Sequence, residues 1–231
     1  MDVSQRTIEE MKPVVMDPES IKNGGAAYTV RRNLEILSGK IRYDKTFLSP
    51  KKLGNEFMKT FGHYHKDNAP ELYEVLEGRA YFLLQKYGSN KVAEIKEAYI
   101  VEANAGEKAI MPPRYGHLSI NIGEQDLILG NWIGLTDYDY TTFAKLRGGC
   151  YYILDKNSKI EFEKNKNYKS VPELKKLKLK DIPEFGIKND ARHPILDFKN
   201  PPDGGPKKLD WLVNPQKYME LLTIENLYRE I

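Results

Sequence analysis

From about residue 41 to 155 the chain is a succession of short runs rich in β-branched and aromatic residues, each closed by a turn signal. They read "TFLSP", "ELYEVLEGRAYFLLQK", "EAYIVEANAGEKAIMPP", "HLSINIG", "QDLILGNWIG" and "GGCYYILD". Strands of this length, punctuated roughly every eight to twelve residues, predict an all-β sandwich or barrel. No helical pattern of crossover length lies between them, which argues against a parallel sheet alternating with helices. Within the series, "VLEGRAYFLL" reads as a hairpin turning at Glu77-Gly78.

The flanks differ. In residues 1–40, "DPESIKNGG" reads as a loop and "AAYTVRRNLEIL" suits a strand or a short helix. After about residue 156 the chain is lysine-rich, a composition that ordinarily marks a solvated face. "NPPDGGPKK" there reads as a loop. The last stretch, "NPQKYMELLTIENLYREI", spaces Tyr218, Leu221, Leu222 and Ile224 as a terminal helix would. The expected organisation is an N-terminal arm packed on the barrel (1–40), the barrel (41–155) and a C-terminal extension with a short helix (156–231).

Charge and cysteine content narrow the partners. Lys and Arg number 36 against 33 Asp and Glu, a net charge of +3. So small an excess is no electrostatic footprint for nucleic acid, although one phosphate group needs only a few local donors. The single cysteine, Cys150, closes no intrachain disulfide and builds no cysteine-based zinc site. "MDVSQRTIEEMKPVV" lacks the apolar core of a signal peptide, and nowhere do roughly eighteen apolar residues run together. The expectation is a soluble, cytoplasmic protein with neither a membrane nor a nucleic-acid partner.

Only four histidines are present, and two fall within three positions in "TFGHYH". Alternate residues of a strand share a face, so His63 and His65 project together, and the next strand can bring Glu71 to meet them. Neutral imidazoles with one carboxylate suit Fe, Mn, Ni or Zn and leave positions open for substrate or water. A fourth ligand is expected. His117 follows a Pro-Pro turn at the start of a strand-like run, whereas His193 sits in the loop-rich tail beside a proline; His117 is the better candidate. A lone strand histidine is more often a satisfied polar residue than a ligand, so the inference rests on the constellation. Glu74 competes with Glu71, but the odd offset puts it on the opposite face from Glu71, Tyr73 and Val75.

His-X-His, a nearby Glu and a later His after a proline turn resemble the two motifs of the cupin superfamily. In detail, "TFGHYH", "ELYEVLEG", "LLQ", "MPPRYGH" and "NIG" resemble the motif set of the archaeal-type (cupin) glucose-6-phosphate isomerases over about Tyr28 to Ile153. The resemblance implies a double-stranded β-helix barrel with one divalent metal ion per subunit, held by His63, His65, Glu71 and His117. It places Thr46, Thr60, Gly62 and Tyr140 near the sugar phosphate, Tyr73 in the active site and Glu71 in the chemistry. The implied reaction interconverts glucose 6-phosphate and fructose 6-phosphate, by proton transfer through an enediol or by hydride shift, in a homodimer. Three departures stand out: the His65–Glu71 gap is one residue shorter than the family pattern, Tyr115-Gly116 replaces a pair commonly led by tryptophan, and the tail is longer. Two alternatives come from other classes: a metal-dependent cupin dioxygenase, and a non-catalytic sugar-binding cupin.

Overall fold

The computed structural model describes residues 2–22, 24–88, 91–200 and 207–231. Two large sheets pack around one apolar core that includes Leu72, Val75, Phe82, Leu84, Leu118, Ile120 and Leu129. The first sheet has six strands in the order Asp2–Thr7, Ala26–Leu37, Ile41–Leu48, Leu127–Gly134, Glu71–Glu77 and Lys108–Met111, all antiparallel. The second has five, in the order Gly116–Asn121, Arg79–Gly88, Lys91–Asn104, Lys175–Leu179 and Tyr228–Glu230. The α-helices among the described residues are two short ones, Thr141–Lys145 and Ile224–Leu227. The fold is an all-β cupin barrel.

Local chemistry explains where the chain turns. Ser38 and Gly39 both have positive φ, 52° and 65°, in the tight link between the second and third strands of the six-stranded sheet. This is the left-handed geometry that matches a hairpin's twist. "AAYTVRRNLEIL" is therefore one arm of a hairpin and is a strand throughout. Gly78 behaves otherwise. Glu71–Glu77 lies in the first sheet and Arg79–Gly88 in the second, so the hairpin expected at Glu77-Gly78 is instead a corner between sheets. A single residue is too short for a hairpin loop but suffices to change sheets. Gly78, at φ +85°, is required because a Cβ there would lie 2.8 Å from the Asp126 carbonyl oxygen.

The C-terminal part also departs from the sequence reading. The expected loop "NPPDGGPKK" falls largely on 201–206, outside the described residues. The expected terminal helix is broken into a 3₁₀ turn at Pro215–Lys217, a four-residue helix at Ile224–Leu227 and a strand at Tyr228–Glu230. Thr223 explains the late start, since its hydroxyl caps the Asn226 N–H and fixes the helix N-terminus there. Strand Lys175–Leu179 then offers an edge with which Tyr228–Glu230 pairs.

This tail is fastened to the outer side of the strand that carries Glu71. Lys108 is fully buried; its ammonium donates to the carbonyls of Gly106 and Asp190 at 2.6 and 2.5 Å and lies 3.5 Å from Glu74. Glu74 also accepts from the Ile195 N–H at 2.9 Å, and the Trp132 indole donates to the Ile195 carbonyl at 2.7 Å. Removing one member of a buried ion pair strands the other charge away from water. Lys108→Met should therefore lower the unfolding free energy by about 3–5 kcal/mol, with Glu74→Gln/Lys108→Met recovering part of the loss. Urea denaturation of the three proteins measures this; a Lys108→Met midpoint equal to wild type would contradict it.

Candidate metal centre

His63 and His117 face each other across an antiparallel bridge, each backbone N–H donating to the other's carbonyl at 3.2 and 3.0 Å. Cross-strand neighbours of this kind bring their side chains together. His65, two positions on, lies on the short strand Tyr64–His65 paired with Tyr138–Asp139. Alternation turns Tyr64 to the other side, where its hydroxyl meets the Gln85 amide at 3.0 Å and its ring lies against Gly116. A Cβ at Gly116 would fall 2.4 Å from that ring, which accounts for the small residue before His117. Glu71 opens the adjoining strand and points its Oε2 into the same space.

The four side chains converge. Their ligand atoms all lie within 4.8 Å of one another. His63 Nε2 is 3.1 Å from His65 Nε2, and Glu71 Oε2 is 3.4 Å from His65 Nε2 and 3.2 Å from His117 Nε2. Ligands about 2.1 Å from a shared ion, at tetrahedral or octahedral angles, stand about 3.0–3.4 Å apart, so the donor set fits a divalent ion. The outer ring nitrogens agree. His65 Nδ1 sits 2.6 Å from the Ala69 carbonyl and His117 Nδ1 3.5 Å from that of Tyr115. An N–H directed to a carbonyl from Nδ1 leaves the Nε2 lone pair facing inward, the tautomer a metal needs.

Electrostatics favour the same state. Burial, followed by the neighbouring His117 and His65 rings, pushes the His63 pKa well below its ordinary value; burial likewise lowers that of His117. Burial alone would raise the Glu71 carboxyl, but without an ion N–H groups of His117 and His65 donate to it, contacts that a bound cation would replace, and they hold the group far below the usual carboxylate range. Its other oxygen accepts from the Asn131 amide at 2.7 Å. Burial thus favours neutral His63 and His117 beside an ionised Glu71. Glu74 faces away towards Lys108, and His193 lies outside the cluster, bonded to Asp190 at 2.7 Å.

His63, Glu71 and His117 form one wall of a cleft, and the structure brings Thr46, Thr60, Gly62, Tyr73 and Tyr140 to its lining as well. Gly62 has φ +84°, and a Cβ there would collide with the Phe143 ring at 2.5 Å. Thr60 Oγ1 accepts from the Ser119 N–H at 3.0 Å, which leaves its own proton for a ligand. Sequence reasoning missed Tyr28, Arg32, Asp44, Asn131 and Tyr138, which share this lining. Asp44 is buried and paired with Arg42 at 2.9 Å, and Arg42 also reaches the Tyr138 hydroxyl. The alternation of Tyr28, Val30 and Arg32 along one strand was the one available signal.

Protonation sets a pH dependence. The metal-stripped fold should lose stability as pH falls from about 6.5, where histidines of the unfolded chain take up protons that buried His63 and His117 refuse. Glu71 adds a loss of the same sign at lower pH. Its contribution is present above the ordinary carboxylate value, about 4.3, and disappears as pH falls towards its depressed folded value. Urea midpoints of chelator-treated protein should fall between pH 7.5 and 5 (about two and a half units spanning the ordinary histidine value), less steeply in His117→Asn; a flat wild-type profile would contradict this.

Comparison with known proteins places the chain. The model of the family "Glucose-6-phosphate isomerase (GPI)" matches residues 5–172. The glucose-6-phosphate isomerase of Thermococcus litoralis is 29% identical over 167 residues, covering 71% of this chain and 78% of that protein. That of Pyrococcus abyssi is 29% identical over 173 residues, covering 71% and 87%. A putative glucose-6-phosphate isomerase 1 of Rhizobium meliloti is 31% identical over 120 residues, covering 51% and 53%. A match across most of the chain, spanning every strand that builds this centre, makes the protein an enzyme of the glucose-6-phosphate isomerase family in its cupin form.

Proposed function

We propose that the protein interconverts glucose 6-phosphate and fructose 6-phosphate at a centre in which His63, His65, Glu71 and His117 hold one divalent ion of Fe, Mn, Ni or Zn. The observation that carries this reading is the convergence of three imidazole nitrogens and one carboxylate oxygen in the wall of a cleft lined with hydroxyl groups. When bound, such an ion polarises the sugar oxygens at C1 and C2 as a Lewis acid.

The chain's own groups supply the rest. Aldose-to-ketose conversion removes the C2 proton and protonates O1 to give an enediol; a proton then returns to C1 and the O2 proton leaves. Glu71 is ionised, as a base must be, and Asn131 fixes its orientation. Tyr73 lies against Glu71, and burial raises its pKa well above the ordinary phenol value, so it stays a neutral hydrogen-bond donor to a sugar oxygen. Thr46, Thr60 and Tyr140, with the backbone at Gly62, supply donors for the phosphate group. A hydride shift between C1 and C2 would use the same positioning with Glu71 as ligand alone.

Conversion of fructose 6-phosphate to glucose 6-phosphate should vanish after EDTA treatment and return with Mn²⁺ or Fe²⁺. Glu71→Gln should reduce turnover by roughly 10²- to 10⁴-fold, the range of a lost general base. A folded protein that turns over with none of these metals would sink the proposal, and oxygen uptake under the same conditions would redirect it to dioxygenase chemistry.

A further inference from the structure

The cleft holds two acidic side chains, Glu71 and Asp44, and Arg32 is the one Lys or Arg side chain in its lining among the described residues. Glu71 is committed to the histidines and Asp44 to Arg42, so neither arrangement leaves a positive charge for a phosphate dianion. Hydroxyl donors alone leave such a charge uncompensated on leaving water, a costly state. A phosphosugar enzyme therefore needs a cation at the mouth of this cleft.

Two arginines meet that need, both from the N-terminal strand pair. Arg32 follows Tyr28 and Val30 on the cleft-facing side of its strand, beside an irregularity in pairing between Arg31 and Glu35, with Asn33 at φ +59°. Bulges of this kind re-aim a side chain. One arm of the Arg32 guanidinium donates to the Ser4 hydroxyl, a neutral partner that leaves further N–H groups free. Arg6, on the edge strand, donates to the Tyr28 hydroxyl at 3.0 Å, and its guanidinium lies 4.4 Å from the Phe61 ring centroid and 5.9 Å from that of Tyr140. Arg32 and Tyr140 line the same cleft, and the Arg6 guanidinium stands over the Tyr140 ring, so both charges lie at one rim. Among the described residues neither arginine forms an ion pair, and Glu10, whose field reaches Arg6, is held by Thr7.

We infer that Arg32 and Arg6 form a cationic clamp for the substrate's phosphate dianion, so that the Asp2–Thr7 and Ala26–Leu37 strands complete the active site. The inference rests on the isomerase reading and adds the groups that select a phosphorylated sugar. Planar guanidinium groups bind phosphate with two parallel hydrogen bonds as well as charge.

Inorganic phosphate is the probe, titrated calorimetrically into the metal-loaded protein and used as an inhibitor of turnover. Arg32→Gln should weaken phosphate binding and raise the KM for fructose 6-phosphate by at least about tenfold, the scale of a charge-assisted contact. Arg6→Gln should act in the same direction, and Arg32→Lys should restore part of the affinity, which a purely packing role would not. Added NaCl should weaken phosphate binding to wild type more steeply than to Arg32→Gln. Phosphate affinity within about twofold of wild type in folded Arg32→Gln, well inside the expected charge-assisted effect, alongside an active wild type, overturns the clamp alone. A wild type that does not isomerise, but whose phosphate affinity falls in the variants, overturns the isomerase reading and leaves the clamp standing.

Discussion

Two reciprocal backbone hydrogen bonds hold His63 opposite His117, and the site's geometry depends on them. They couple a segment with almost no regular structure of its own, around "TFGHYH", to Gly116–Asn121, the edge strand of the second sheet. Thr60 extends the same coupling by exchanging backbone and side-chain hydrogen bonds with Ser119. Once this ladder is set, His65 follows by alternation and Tyr64 is driven into the space left by Gly116. Glu71 then arrives from the first sheet, so the centre spans the seam between the two sheets. A centre built this way is fixed by the barrel's closure and not by any one loop.

The same strand faces two buried charges in opposite directions. Glu71 points to the histidines and Glu74, three residues on, points to Lys108 and the backbone of the C-terminal extension. Both acids are nearly sealed from water, so each needs compensation close at hand. The Asp190 carbonyl and the Ile195 N–H supply part of it for Lys108 and Glu74, while Asn189 accepts from the Lys108 backbone N–H and the Trp132 indole pins the same segment. The extension, which lies largely beyond the family match at residue 172, thereby braces the outside of the strand whose inner side bears Glu71.

Much of this was legible in local spacing. Period-two alternation and turn residues marked the strands, and a short motif announced the histidines and Glu71. What spacing did not reveal depends on partners distant in sequence. Whether Gly78 closes a hairpin or turns a corner is decided by which strands lie beside Glu71–Glu77 and Arg79–Gly88, and those are Leu127–Gly134 and Lys91–Asn104. Asn131 meets Glu71, and Asp44 meets the cleft, only through cross-strand register. Near the end of the chain, the apolar spacing from Tyr218 to Ile224 looked helical, but Pro215 and the Thr223 cap leave four helical residues, and an open sheet edge takes the rest.

The claim beneath this account is that one metal ion sits among His63, His65, Glu71 and His117. X-ray absorption on protein loaded with one equivalent of zinc tests it most directly. The account predicts imidazole scattering from three ligands, with nitrogen or oxygen neighbours at about 2.0–2.2 Å, and loss of two-thirds to all of that site in a His63→Ala/His117→Ala protein, which keeps about one imidazole of three. Zinc that fails to bind stoichiometrically, or that binds without imidazole neighbours, would contradict it.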